Sequence, residues 1–174
     1  MAHSARTLHA DLLGRPQLRW NRAPLTLAAV KPRALVYVLA VRREPVAKAT
    51  LAELLWGPDK LGNLRSALYT LRKQAQAEAW LHEADGGRAL QVEVRTDLAV
   101  FEHAAAHGDI AEALACWHRA GVSGLAGKAL LEGTYVPAAP AFEDWLALER
   151  ARVAVVYREC LSRRAAQLEG AGRW

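Results

Sequence analysis

Residues 62–74 read GNLRSALYTLRKQ, a stretch whose apolar and polar side chains alternate as in an amphipathic helix. Its leucines and alanines recur at steps of three and four residues, which places them on one helix face. The opposite face carries basic, amide and hydroxyl groups and no acid. This pattern predicts a helix that covers a core on one side and meets a polyanion on the other, the alternative being an ordinary solvated surface.

Two shorter helices are predicted before this one. The first opens at Lys31-Pro32, because proline is tolerated in a first turn, and stops before Pro45. The second covers residues 48–56 and closes at Gly57. The first helix has about three turns, and only about five residues separate the second helix from the third.

A hairpin is predicted after the third helix. The third helix is expected over residues 60–77, with Asp59 as its N-cap. Strands at 80–83 and 89–94 then flank the turn sequence DGGR at 85–88. Three helices followed by a hairpin predict a winged helix-turn-helix, whose third helix enters the major groove while the hairpin contacts the backbone or minor groove.

Short apolar segments separated by turn signals precede the first helix. They cover residues 7–13, 17–20 and 24–27, and they predict a small antiparallel sheet.

From residue 97 onward the pattern is helical only. Helices are predicted over residues 98–107 and 110–120, with a break at Gly108-Asp109 where Asp109 caps the second of the two. A glycine-containing stretch follows at 121–133, and then a long helix at 139–168. The pair of short helices is typical of TPR-like repeats. The fold class predicted for the whole chain is therefore mainly α with small β-sheets.

Positive charge is concentrated in the first half of the chain. Residues 1–96 carry 15 Lys and Arg against 8 Asp and Glu, whereas residues 97–174 carry 8 against 10. The 174 residues are 52% hydrophobic, which is enough for one or two domains with their own cores. The charge asymmetry favours a polyanion-binding domain joined to a second domain with another task.

Catalytic and metal chemistry are not indicated. His103 and His107 have a metal-compatible spacing on one helix, yet such a pair is usually an ordinary surface feature. Cys116 and Cys160 lie in apolar helical patterns and are predicted to be core residues of a reducing cytoplasm. No nucleophile elbow or phosphate loop occurs, and no apolar run is long enough for a signal peptide or a membrane span. We therefore predict a cytoplasmic protein that is not an enzyme and has no cofactor, metal or membrane partner.

Several motifs together resemble one family, the Streptomyces antibiotic regulatory protein (SARP) type of transcriptional activator. That family joins an OmpR-like winged helix to a bacterial transcriptional activator domain of TPR-like helices. The motifs, which cover nearly the whole chain, are KPRAL at 31–35, ATLAELLW at 49–56, NLRSALYTLRK at 63–73, TDL at 96–98 with Phe101, and LLEG at 130–133 leading to FEDWL at 142–146. The helical half is shorter than is usual in the family.

The resemblance implies a winged-helix domain over residues 7–96 and an activator domain over 97–174. It implies double-stranded DNA as the partner, with RNA polymerase contact and a homodimer or tandem copies on direct repeats. Carried over by position, the DNA-binding residues are Asn63, Arg65, Ser66, Tyr69, Thr70, Arg72 and Lys73 on the third helix, with Arg88 on the hairpin.

The chemistry of these side chains leaves base and phosphate contacts open. Arg65 and Lys73 suit guanine or phosphate, Asn63 suits adenine or phosphate, and the hydroxyl-bearing residues usually bond phosphates. Further cations are candidates for backbone contacts or for a solvated surface: Lys31, Arg33, Arg42, Arg43 and Lys48.

The alternative function is a helical protein-interaction adaptor whose basic half binds an acidic protein or RNA. Its partner is expected along the long helix, at Trp145, Val153 and Val156.

Overall fold

The computed structural model describes residues 7–119 and 130–170, apart from the side chain of Gln74. Over these residues the protein is mainly helical with small sheets, which confirms the predicted composition of the fold. The helices and strands are, in chain order, β1 (Leu8–Asp11), β2 (Gln17–Trp20), β3 (Ala23–Pro24), α1 (Val30–Arg42), β4 (Val46–Ala47), α2 (Lys48–Trp56), α3 (Leu61–Ala75), β5 (Leu81–Ala84), β6 (Ala89–Val92), β7 (Val94–Thr96), α4 (Asp97–Ala106), α5 (Ile110–Arg119) and α6 (Pro140–Gly170).

The described residues fall into two compact units. The first unit takes in residues 7–10, 17–95 and 135–145. The second unit takes in residues 11–16, 96–119, 130–134 and 146–170.

Helix α1 is the buried centre of the first unit. Eight consecutive side chains, from Ala34 to Val41, are buried, so the helix has no wide solvent face over that stretch. It ends where Arg43 adopts a left-handed conformation with φ of 60°, and the Arg43 N–H closes the last turn on the Leu39 carbonyl at 2.8 Å. The predicted position of this helix is confirmed to within a residue at its start.

Helix α3 has the predicted apolar stripe, with Leu64, Leu68 and Leu71 all buried. Its predicted ends are wrong in two respects. Asp59 has φ of 57° and lies one residue too early to cap, because the N-cap is Lys60, which makes no side-chain capping bond. The helix also stops at Ala75 instead of residue 77, since the next residue turns into the left-handed region and a 3-10 turn follows.

The hairpin after α3 is confirmed and gains a third strand. Strands β5 and β6 pair antiparallel, with Leu81 opposite Val92 and Ala84 opposite Ala89. Gly86 and Gly87 supply the positive φ values of the turn, 63° and 83°. The two-residue strand β4 pairs with the other edge of β6, so the order of this sheet is β4-β6-β5.

The remaining strands form a second sheet with the order β3-β2-β1-β7. Strand β2 has the predicted bounds, whereas the two others predicted here are shorter: β1 stops at Asp11, and the strand predicted at 24–27 is only the two-residue β3 opposite β2. The strand predicted at 89–94 is likewise divided: β6 ends at Val92, and β7 joins the other sheet. Alternation of side chains shows that a strand exists but not which sheet receives it.

The second unit is built on α4, α5 and part of α6. The Phe101 and Trp117 rings meet at 5.3 Å between centroids, and Trp117 stacks on Tyr157 at 4.1 Å and 10°. Asp109 accepts from the Glu112 N–H at 3.1 Å, which confirms the predicted cap. Cys116 and Cys160 are free and buried, as predicted for core residues.

The glycine-containing stretch predicted at 121–133 and the end of the preceding helix at Ala120 lie largely outside the described residues. The described residues at the C-terminal end of this glycine-containing stretch are held by Arg150, whose guanidinium donates to the Leu130 and Leu131 carbonyls at 2.9 Å each.

Helix α6 has 31 residues, close to the predicted long helix. Its side chains from residue 162 to residue 170 are all exposed. Within the part of the chain that the structure describes, none of the helices combines the length and the apolar character of a membrane span.

Candidate nucleic-acid interface

The outer face of α3 is an exposed polar surface. Asn63, Arg65, Ser66, Tyr69 and Lys73 are exposed, and Thr70 is half-buried at its edge. The buried stripe on the other side fixes the rotation of the helix, because turning it would bring three core leucines into water. The structure therefore places the predicted polar side chains of residues 62–74 together on one surface of the first unit.

The two hydroxyl groups on this face bond back to their own helix. The Ser66 hydroxyl donates to the Gly62 carbonyl at 3.2 Å, and the Thr70 hydroxyl donates to the Ser66 carbonyl at 3.0 Å. A hydroxyl has only one proton to donate, so in this geometry both oxygens can only accept. A phosphate oxygen is also only an acceptor, and neither hydroxyl can bond it without rotating first.

Tyr69 is the most exposed large hydrophobic side chain of α3. Its side chain has 66% of its surface in contact with solvent, and the Lys73 Nζ lies 6.0 Å from the centre of its ring. An ammonium at this distance is attracted to the negative face of the ring, which limits the conformers of both side chains. The ring and the cation thus form a local pair in the last half of α3.

Arg72 does not share this open surface. Its Nη2 lies 3.2 Å from Glu83 Oε1 on β5, and the Lys48 Nζ at the start of α2 lies 2.9 Å from the same oxygen. The hydrogen bond from Lys48 is the main reason that the pKa of Glu83 lies below its ordinary value, and Arg72 lowers this pKa further. One carboxylate therefore neutralises part of the charge of two predicted DNA-contacting cations.

Glu83 is a site residue that the sequence did not predict. It lies 35 residues from Lys48 and 11 residues from Arg72 in the chain. The alternation of side chains along the predicted strand indicated only that Glu83 faces solvent. Its position between two cations follows from the pairing of β6 with β5 on one side and with β4 on the other, and the third strand was itself not predicted.

Arg88 lies at the end of the hairpin turn with its side chain exposed. Its carbonyl accepts from the Lys48 N–H at 2.8 Å, and its own N–H donates to the Asp85 carbonyl at 3.2 Å. The backbone at the tip is therefore bonded while the guanidinium extends from it. The contact predicted for Arg88 would be made from this position.

The cations of α1 lie at its two ends and do not form one patch. At the N-terminal end, the Lys31 Nζ lies 5.7 Å from the centre of the Trp56 ring, and the Arg33 guanidinium donates to the Leu27 carbonyl at 3.1 Å. Arg42 and Arg43 are exposed at the C-terminal end. The two ends are about 18 Å apart along a 13-residue helix.

The histidine pair of the second unit is occupied by local contacts. The His103 and His107 rings lie 4.0 Å apart, and the His107 Nδ1 is 2.8 Å from the His103 carbonyl oxygen. Across residues 7–119 and 130–170, no three His, Cys, Asp or Glu side chains are grouped so that they could hold a metal ion.

Comparison with known proteins gives a fold and no family assignment. No family model matches the chain, and no curated protein matches it. A solved structure of Mycobacterium tuberculosis EmbR in complex with a low-affinity phosphopeptide is similar to this chain with a TM-score of 0.65 and 21% sequence identity. The match covers 97% of this chain and 47% of the EmbR chain, so this chain spans about half the length of that protein. The two proteins share a fold over nearly all of the sequence described above.

Proposed function

We propose that this chain is a sequence-specific, DNA-binding transcriptional regulator. In this proposal the first unit is an OmpR-like winged helix-turn-helix, with α3 as the recognition helix and the β5–β6 hairpin as the wing. The single observation that carries it is the outer face of α3, which is exposed, rigidly oriented by a buried stripe, and basic without an acid on the same face. Such a helix fits the major groove, which is wide enough to admit it.

The residues of this face then divide by chemistry. Arg65 and Lys73 carry charge that attracts the duplex and can bond guanine or phosphate, and Asn63 can bond adenine or phosphate. Ser66 and Thr70, whose protons are already used, serve as acceptors or as apolar contacts through their carbon atoms. Arg88 on the wing adds a contact with the backbone or minor groove.

The second unit is proposed to act as a TPR-like activator domain of the SARP type. Support comes from the motifs that this chain shares with that family and from the fold it shares with EmbR. RNA polymerase contact and binding of tandem copies or a homodimer to direct repeats belong to the same proposal. The proposed domains are residues 7–96 and 97–174, and the working compartment is the cytoplasm.

The decisive experiment removes charge from the recognition helix alone. Duplexes bound by the chain are first selected from a random pool, and the double variant Arg65→Gln with Lys73→Gln is then compared with the wild type by gel retardation. Both side chains are exposed, so thermal unfolding should be nearly unchanged while binding falls at least about 30-fold, given about 1–3 kcal/mol for each good contact.

A matched control makes the same charge change elsewhere. Arg158→Gln with Arg164→Gln removes two exposed cations from α6 of the second unit, and it should leave DNA binding close to wild type. Persistent binding by the α3 variant would show that α3 is not the recognition helix. Failure of the wild type to enrich any duplex would overturn the DNA-binding proposal itself.

A second candidate function is the protein-interaction adaptor, because α6 exposes three large apolar side chains, Leu148, Val155 and Leu168. Leu148 is 72% exposed and Val155 is 45% exposed, seven residues apart on the same side of the helix. The contact residues first predicted for this function are wrong in part, since Trp145 and Val153 are buried within the protein. An adaptor would retain no more affinity for duplex DNA than for single-stranded RNA or an acidic peptide, which the same retardation assay measures.

A further inference from the structure

The middle of the proposed recognition face presents an aromatic ring, and basic or amide side chains lie toward both of its ends. Tyr69 lies there with two thirds of its side chain exposed. Leaving an aromatic ring in water sacrifices the free energy that its burial would give, so an exposed aromatic on a binding face is a candidate contact. The ring is also the largest group on this side of α3.

The two hydroxyl groups beside the ring do not offer hydrogen-bond donors. The hydroxyl of Ser66, one turn before Tyr69, and the hydroxyl of Thr70 beside it both donate to carbonyls of their own helix. At this level of the helix they can therefore accept a hydrogen bond but not donate one. The Lys73 Nζ, one turn later, lies 6.0 Å from the centre of the ring.

Among the features of the major groove, one is apolar and marks a single base. The C5-methyl group of thymine projects into this groove, whereas the other base edges present donors and acceptors there. An aromatic ring beside hydroxyls that have no free proton matches a methyl group, whereas a base acceptor would find no partner at those hydroxyls. The polar side chains at the two ends of the face can bond the donors and acceptors of the other base edges.

We propose that Tyr69 is a specificity-determining residue that packs its ring against a thymine methyl group in the DNA site. This inference rests on the proposed function, since it needs α3 to lie in the major groove. It adds to that function the base that is recognised, thymine, and the group that distinguishes this base, its C5-methyl group.

The test is a uracil scan of a duplex that the chain binds. Uracil differs from thymine only by the absent C5-methyl group, and every thymine in a selected duplex is replaced by uracil one at a time. Burial of one methyl group corresponds to about a fourfold change in dissociation constant. We expect one or two positions at which the wild type loses about that factor and all others to be neutral.

Variants of Tyr69 assign the effect to the ring. Tyr69→Ala should bind the thymine duplex more weakly and show no preference between thymine and uracil at the sensitive position. Tyr69→Phe should keep the preference, because the ring is retained without the hydroxyl. Ser66→Ala, a matched change on the same face, should also keep it.

The outcomes separate this inference from the function on which it rests. DNA binding with no uracil-sensitive position, or a selected site without thymine, overturns the inference and leaves the DNA-binding proposal standing. The inference is also overturned if Tyr69→Ala keeps the preference or if Tyr69→Phe loses it, since the latter would assign the effect to the hydroxyl. If the wild type binds no duplex, both proposals fail together.

Discussion

Arg72 Nη2 lies 3.2 Å from Glu83 Oε1, and this contact joins the last turns of α3 to the strand that begins the hairpin. Lys48 approaches the same oxygen from the start of α2, so three elements of the first unit meet at one carboxylate. The cations keep the pKa of Glu83 below its ordinary value. The contact is therefore fully formed above the ordinary pKa of a glutamate and is lost only as the pH falls through the lowered value of the folded state.

Glu83→Gln should increase the affinity for DNA. The change frees two cations from an internal acceptor, and each can then neutralise a phosphate. We expect a gain in affinity at low salt and a log–log salt slope steeper by about 1 to 2. The measurement is a titration of fluorescent duplex by anisotropy at several salt concentrations.

Glu169→Gln, an exposed acid in the last turn of α6, controls for the change in net charge. An equal gain in that variant would assign the effect to total charge and not to the freed pair. Because Glu83 lies at the protein surface, where ion pairs contribute little to stability, the melting temperature of both variants should change little.

The salt dependence of the wild type should identify a multi-phosphate contact. Neutralisation of about five phosphates predicts that log affinity falls against log salt with a slope of about −4 to −5. Arg88→Gln on the hairpin should reduce the magnitude of that slope by about 1 if its guanidinium contacts a phosphate. A wild-type slope near zero would contradict an electrostatic contact with nucleic acid of any kind.

Leu71→Ala should destabilise the first unit strongly. Leu71 is fully buried under α3, and truncation of such a leucine costs about 2–5 kcal/mol through lost transfer free energy and the cavity left behind. Urea unfolding followed by circular dichroism measures the change.

Leu61→Ala is the matched control in the first turn of the same helix, where the leucine is 43% exposed. It should cost well under half as much as Leu71→Ala. Equal losses of stability in the two variants would mean that α3 does not pack its leucine stripe against the core.

The two cysteines should react slowly with thiol reagents in the folded protein. Burial is the main cause that raises the pKa of both the Cys116 and Cys160 thiols, although the Arg119 guanidinium opposes it at Cys116. Less thiolate is thus present at pH 8 than in a free cysteine, and access is limited as well. Labelling with a chromogenic disulfide should become fast only in denaturant or as the pH rises well above the ordinary pKa of a cysteine thiol. Rapid labelling of two thiols at pH 8 without denaturant would contradict their burial.

Much of the fold could be predicted from periodic patterns. The leucine stripe of α3, the run of α1 and the hairpin turn all depend on residues close in sequence, where spacing and turn chemistry decide the structure. The predicted cap at Asp59 was wrong because an aspartate before a helix is a good cap only with extended backbone, and here its backbone is left-handed. Strand β4 is two residues long and leaves no periodic signal.

The site was predictable in its composition but not in its charge balance. That α3 presents Arg65 and Lys73 together follows from helical spacing, and the return of the Ser66 and Thr70 hydroxyls to their own helix is a known local alternative for such residues. The contact of Glu83 with Lys48 and Arg72 joins residues from three elements. Only the assembled sheet brings them within bonding distance.

The exposed end of α6 has a consequence for motion. From residue 162 to residue 170 no side chain is buried, so these turns are held by backbone bonds and weak neighbour contacts alone. Amide hydrogens there should exchange with solvent far faster than those near Tyr157, whose ring is stacked in the core of the second unit. A molecule that docked along these turns would also suppress their fraying, and its observed affinity would be lower by the conformational entropy lost in that ordering.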